Sequence, residues 1–175
     1  FQILKSVFLL LLKNPYSPNF KLCALTYAAA SDESLTLSRR LSLNKKIFKQ
    51  IANIRALKQI EKDLADVSLR PNDIVTAIEN YDPSAIEVVG LLSGYRIVRK
   101  RLARYLNQWR TIRPQLTGAD LVKIGVPKGP MLKFLLGKLR AAKLNGAIRT
   151  RKGEIAIIKT ALSETANTLP INPIS

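Results

Sequence analysis

The chain of 175 residues contains no histidine and a single cysteine, Cys23. Without imidazole there is no His-based acid–base chemistry and no serine or cysteine triad. Without a cysteine cluster there is no zinc site and no internal disulfide framework. A lone thiol set in Leu22-Cys-Ala-Leu25 reads as a small buried hydrophobe in a protein of a reducing, cytoplasmic compartment. Acids are also scarce: 12 Asp and Glu stand against 29 Lys and Arg, a net charge of +17. No Asp-x-Asp pair is present for two-metal chemistry, and no Gly-rich phosphate loop. Asp63 and Asp66 share a helical turn but have Lys62 beside them and read as solvated surface. The residues therefore assign no catalytic group, no metal ligand and no cofactor to this chain. Long apolar runs are missing too. The opening FQILKSVFLLLL is interrupted by Lys5 and falls short of the roughly 20 residues that a bilayer span needs. It is expected as a helix buried against the rest of the chain. The first residue is Phe rather than Met, which reads as a piece of a longer polypeptide.

What is present is apolar content of 47%, enough for a packed core, arranged with helical period. Helices are expected over about 19–30, from Asp32, from an Asn44 cap to about Leu64, after Pro71, after Asp82-Pro83, and from Tyr95 to about Ile112. Past Arg113-Pro114, Thr117 is placed to cap a short helix ended by Gly125. A longer helix follows over Pro130–Leu144, and Thr150 is placed to cap a last one to about Ala166. Segments 146–149 and 155–158 are the pair that could form a short strand ladder. The fold class expected is all-α: a helical body over 1–113, a small basic helical tail over 114–166 and a flexible C-terminus over 167–175.

Charge divides along the same line. From Tyr95 to Lys159 there are 17 Lys or Arg against two acids, Asp120 and Glu154. The other 110 residues carry 12 bases and 10 acids. A polyanion is thus expected on the second half, with the first half as scaffold. On the Tyr95 helix, Arg96, Lys100 and Arg104 recur at i, i+4 spacing, and no acid interrupts residues 90–113. Tyr95, Val98, Leu102, Leu106 and Trp109 share another face and suit core packing more than base stacking. The turn Gly125-Val-Pro-Lys-Gly-Pro130 could cradle a phosphate through Lys128 and the amides at the next helix start, or serve only as a tight connection. Lys133, Arg140 and Lys143 fall on the outer side of the helix whose core stripe is Leu132, Leu135, Leu136 and Leu139. Arg151 stands at the start of the last helix. The residues named for nucleic-acid phosphate contact are Arg96, Lys100, Arg104, Lys128, Gly129, Lys133, Arg140 and Arg151.

The stretch from Trp109 to Lys159 resembles the C-terminal tail of bacterial class II tRNA nucleotidyltransferases, the CCA-adding and A-adding enzymes related to bacterial poly(A) polymerases. Pro114, Leu116-Thr-Gly118, Asp120-Leu121, Gly125, Gly129-Pro130, Leu139, Ala142, Leu144, Gly146, Ile148 and Thr150-Arg151 carry the resemblance. Leu22-Cys-Ala-Leu25 and Arg40-Leu-Ser-Leu43 are weaker counterparts of the family's helical body. In that family a head domain holds the metal-binding carboxylates, a neck reads the nucleotide, and body and tail hold the tRNA. The head's Asp-x-Asp and the neck's Arg-Arg-Asp and Glu-Asp-x-x-Arg patterns do not occur here. The resemblance therefore implies a body-and-tail piece with tRNA as partner. Head and neck would lie outside this chain, and Mg²⁺ with ATP or CTP would belong to the parent enzyme. The alternative is a stand-alone nucleic-acid-binding helical module with no enzymatic parent. A membrane partner is not expected, because the apolar residues of the basic helix suit a core.

Overall fold

The computed structural model describes residues 17–28 and 44–168, and every regular element among them is helical. The apolar opening, the Asp32 helix and the chain beyond Thr168 lie outside the described residues. In order, α1 is Pro18–Ala28, α2 Lys45–Gln59, α3 Glu61–Leu64, α4 Pro71–Ile78, α5 Pro83–Leu92 and α6 Arg96–Asn107, with a 3₁₀ turn over Trp109–Thr111. Then come α7 Gly118–Lys123, α8 Pro130–Leu144 and α9 Arg151–Thr168. The chain divides into two compact units, Phe1–Arg110 and Thr111–Ser175.

Capping chemistry explains where the helices begin. The Asn44 side chain accepts from Ile47 N at 3.0 Å, and that of Asp82 accepts from Ser84 N at 2.9 Å with Pro83 in the first helical position. Thr117 and Asp120 form a reciprocal capping box on α7. Two helices end in the same hydrogen-bond pattern at a glycine with positive φ. Val126 N reaches Leu121 O at 3.0 Å and Gly125 N reaches Val122 O at 3.0 Å. Ala147 N reaches Ala142 O at 2.8 Å and Gly146 N reaches Lys143 O at 3.0 Å. With φ of 106° at Gly125 and 74° at Gly146, both are Schellman stops, and Val126 drops into the core as its hydrophobic partner.

Several boundaries differ from those expected. The helix after Asn44 breaks at Ile60 (φ −93°, ψ 4°), although no Gly or Pro marks the place. The break adjoins Glu61, which is buried with its carboxylate accepting from the Tyr27 hydroxyl at 2.7 Å. The basic helix ends at Asn107 rather than Ile112, because Gln108 leaves helical angles (φ −135°, ψ −60°) and the chain tightens into the 3₁₀ turn. Residues 155–158 are helical, not a strand, since Glu154 and Ile158 are both buried at i, i+4 spacing. The last helix also runs to Thr168, two residues into the segment expected to be flexible.

In the first unit α1, α2 and α5 pack on one another and α6 lies along α5. Ile51, Ile54 and Leu57 of α2, Ile86 and Val89 of α5, and Val98 and Leu102 of α6 are all buried. Each contributes about 1.5–3 kcal/mol by leaving water. Gly90 is what lets α6 come close: a Cβ there would stand 3.2 Å from the Leu102 Cβ. Cys23 is buried as expected. Burial, then the charge of Asp82, pushes its thiol up to about 11, and it donates weakly to Gln50 Oε1 at 3.9 Å. In the second unit Leu116, Leu121, Val126, Leu135, Leu139 and Ile158 form the core, with Leu132 and Leu136 half-buried at its edge. We expect Leu102→Ala to destabilise the first unit by about 2–5 kcal/mol and Gly90→Val by about 1–3 kcal/mol in chemical denaturation. An unchanged midpoint for either would show that α5 and α6 are not packed this closely.

Candidate nucleic-acid interface

Helix α6 carries Arg96, Arg99, Lys100, Arg101 and Arg104, and the structure sorts these cations into two kinds. Arg101 turns inward along the surface. Its guanidinium donates to the carbonyls of Leu64 at 2.6 Å, Asp66 at 2.8 Å and Leu69 at 3.3 Å, satisfying the exposed end of α3 and the connection behind it. Arg99 donates to the Ser93 carbonyl. These two cations are structural. Arg96, Lys100 and Arg104 are exposed along one line of the helix and make no hydrogen bond or ion pair described in the structure. Trp109 is buried as the periodicity implies and Tyr105 is buried as well, whereas Tyr95, grouped with the Trp109 face from its spacing, is 44% exposed. It precedes the first helical residue, where the extended backbone (φ −90°, ψ 112°) takes it off the helix face.

The second unit is organised around Glu154, whose side chain is 0% exposed. Its carboxylate accepts from Gln115 N at 2.9 Å, from Leu116 N at 2.8 Å and from the Lys143 ammonium at 3.0 Å. Burial alone would raise this carboxyl, but the two amides and the ammonium outweigh it and hold it below the ordinary value of 4.5. Lys143 therefore does not lie on the outer side of α8; its side chain is 15% exposed and faces Glu154. Glu61 in the first unit makes the contrast. Burial raises its carboxyl, and a hydroxyl from Tyr27, a Lys58 ammonium and Ser93 do not compensate. The other acid of the basic region, Asp120, is engaged as well. The Thr117 amide and hydroxyl, aided by Arg151 at 2.9 Å, bring its carboxyl down to about 2. Both acids between residues 111 and 163 are thus bound to groups of their own unit. Lys123, Lys128, Lys133, Lys138, Arg149, Lys152 and Lys159 remain exposed.

The remaining site residues fall in different settings. Lys128 and Gly129 are exposed at the tip of the Gly125–Pro130 turn. Gly129 has φ 132° and ψ −156° at the start of α8, and nothing lies within 4 Å of where a Cβ would be. The backbone angle, not crowding, is what calls for glycine. Lys133 is exposed, Arg140 is half-buried, and Arg151 is exposed but tied to Asp120. One feature of this surface escapes periodicity: Phe134 is 59% exposed, with the Lys138 ammonium 5.0 Å from its ring centroid. Its neighbours Lys133 and Lys138 are the only cue in the sequence, since an apolar residue beside a leucine stripe reads as core.

Among the described residues no three His, Cys, Asp or Glu side chains come together as a metal site, and no helix is long and apolar enough to cross a membrane. No family model matches the chain, and no solved structure matches it. Among curated proteins it is similar to the A-adding tRNA nucleotidyltransferase of Geobacter sulfurreducens, with 30% identity over 89 residues. That alignment covers 51% of this chain and 10% of the relative, so the chain spans about a tenth of that protein's length.

The Glu154 cluster sets a pH dependence. A carboxyl held below its unfolded value contributes stability above about pH 4.5, and that stability is lost as pH falls through the depressed folded value. Glu61 titrates with the opposite sign, so the test is the difference between the parent chain and Glu154→Gln. The variant should be less stable by about 1–3 kcal/mol at pH 7, and the gap should close toward pH 3. A gap that stays constant across that range would show that Glu154 is not ionised in the folded state.

Proposed function

We propose that this chain is the tRNA-gripping part of a tRNA nucleotidyltransferase, a helical body and basic tail that hold tRNA by backbone charge and helical shape. The observation that carries the reading is the fate of the acids. Asp120 and Glu154 are bound within the second unit, and Lys123, Lys128, Lys133, Lys138, Arg149, Lys152 and Lys159 of that unit stay exposed. A polyphosphate backbone complements such a surface, and release of its counterions drives binding. A-form RNA shows side chains little readable sequence, so charge at helical spacing is the recognition it permits. The partial similarity to an A-adding tRNA nucleotidyltransferase favours tRNA over other polyanions. In this reading Arg96, Lys100 and Arg104 contact phosphates from the body. Lys128, Lys133 and Arg140 do so from the tail, while Arg151 contributes through its pairing with Asp120. In this reading, addition of CCA or A with Mg²⁺ and ATP or CTP belongs to the head and neck domains of a parent enzyme. A tRNA-processing role fits a cytoplasmic protein.

The test is a salt titration of tRNA binding. If about six phosphates are neutralised, log K falls against log salt with a slope of roughly −4 to −5. A flat profile, or equal affinity for duplex DNA of matched charge, would overturn the assignment. Lys128→Ala should weaken binding about equally for all tRNAs and reduce the slope by about 1. Gly129→Val should weaken it further and also lower the melting temperature, because valine resists a φ of 132°. A Gly129→Val chain that melts and binds like the parent would reduce this turn to a connector.

A further inference from the structure

Between α4 and α6 lies an open groove of about 490 Å³. Its floor is apolar, formed by Pro71, Ile74, Ile97 and Trp109. Two of the exposed cations, Lys100 and Arg104, stand one helical turn apart on its wall, and Ile97 precedes them on the same face of α6. Arg101 also borders the groove, but the carbonyls of Leu64, Asp66 and Leu69 hold it, which fixes the wall in place. Among the described residues no acid lines the groove. The nearby Asp73 is committed to the Arg70 amide at 3.0 Å, and Asp66 to the Ser68 amide at 2.9 Å.

A paired RNA stem needs the cations and has no use for the floor, because its bases are stacked inside the helix. An apolar bed beside two unengaged cations matches an unpaired nucleotide, whose base face seeks apolar cover while its phosphate seeks charge. We infer that this groove is a subsite for one unpaired nucleotide of the bound RNA. Its base lies on Pro71 and Ile97 at the edge of Trp109, and its phosphate lies against Lys100 and Arg104. The inference rests on the RNA-binding reading above and adds that the body distinguishes an unpaired nucleotide from a paired one.

The experiment compares the full chain's affinity for a blunt RNA duplex with that for a duplex of equal phosphate number ending in a 3′ single-stranded overhang. The overhang RNA should bind about tenfold tighter. Ile97→Ser should remove that preference and leave blunt-duplex binding in place, whereas Lys100→Ala should weaken both. Because Ile97 is half-buried, a second measurement uses the unaltered chain: 4-thiouridine in the overhang should photo-crosslink to peptides spanning 69–74 or 97–109. Equal affinity for the two RNAs, or crosslinks only elsewhere, overturns the subsite and leaves RNA binding standing. Failure to bind either RNA overturns the RNA-binding reading and the subsite with it. Displacement of the overhang RNA by a polyglutamate peptide at lower concentration would show an acidic protein partner and also overturn the subsite.

Discussion

A buried carboxylate inside a strongly basic unit organises the second half of this chain. Glu154 is wholly enclosed, and an isolated charge in that position would be prohibitive. It is tolerable only because two backbone amides and the Lys143 ammonium converge on it from separate places in the sequence. The contact fixes α9 through Glu154, α8 through Lys143 and the entering chain through Gln115 and Leu116. The apolar residues Leu116, Leu139 and Ile158 pack in the core of the same unit. Non-directional hydrophobic packing would allow these short helices several arrangements; a carboxylate with specific donors allows few.

The same contact shapes the outside. A unit with many like charges repels itself, and scattered acids on its surface would relieve that repulsion while weakening its field. Here the two acids between residues 111 and 163 relieve it from within or at the cap. Glu154 is matched to Lys143 in the interior, and Asp120 is drawn to Thr117 and Arg151 at the start of α7. The exposed lysines of this unit form no ion pair with either of these two acids, which is the ground for reading the surface as one for a polyanion. In the first unit the division of labour runs among the cations themselves. Arg99 and Arg101 satisfy carbonyls at the ends of helices, while Arg96, Lys100 and Arg104 face solvent.

The similarity to an A-adding tRNA nucleotidyltransferase covers about half of the chain and a small part of the relative. The described residues are all helical in their regular elements, and the chain is strongly basic. The surface rests on which charges are left exposed, and the similarity on residue identity along the chain.

The amino-acid sequence by itself determined the helical class and most helix starts and stops, because these are local events. Asn44, Asp82 and Thr117 cap through side chains a few residues away, and Gly125 and Gly146 stop helices through their own backbone angles. It also determined the charge asymmetry, which is a property of composition. Only the tertiary structure decided which cations are available. Arg99 and Arg101 look identical to Arg96 and Arg104 in sequence, yet they donate to carbonyls of Ser93 and of the connection between α3 and α4. Lys100, between them in the chain, stays exposed. Lys143 holds a helical position that looks outward until Glu154 is brought opposite it from α9. Phe134 passes for core because an apolar residue beside Leu135 carries no mark of exposure in one dimension. For Arg101 and Lys143 the deciding partner lies on another element, and no period within one helix records which group of another a side chain will meet.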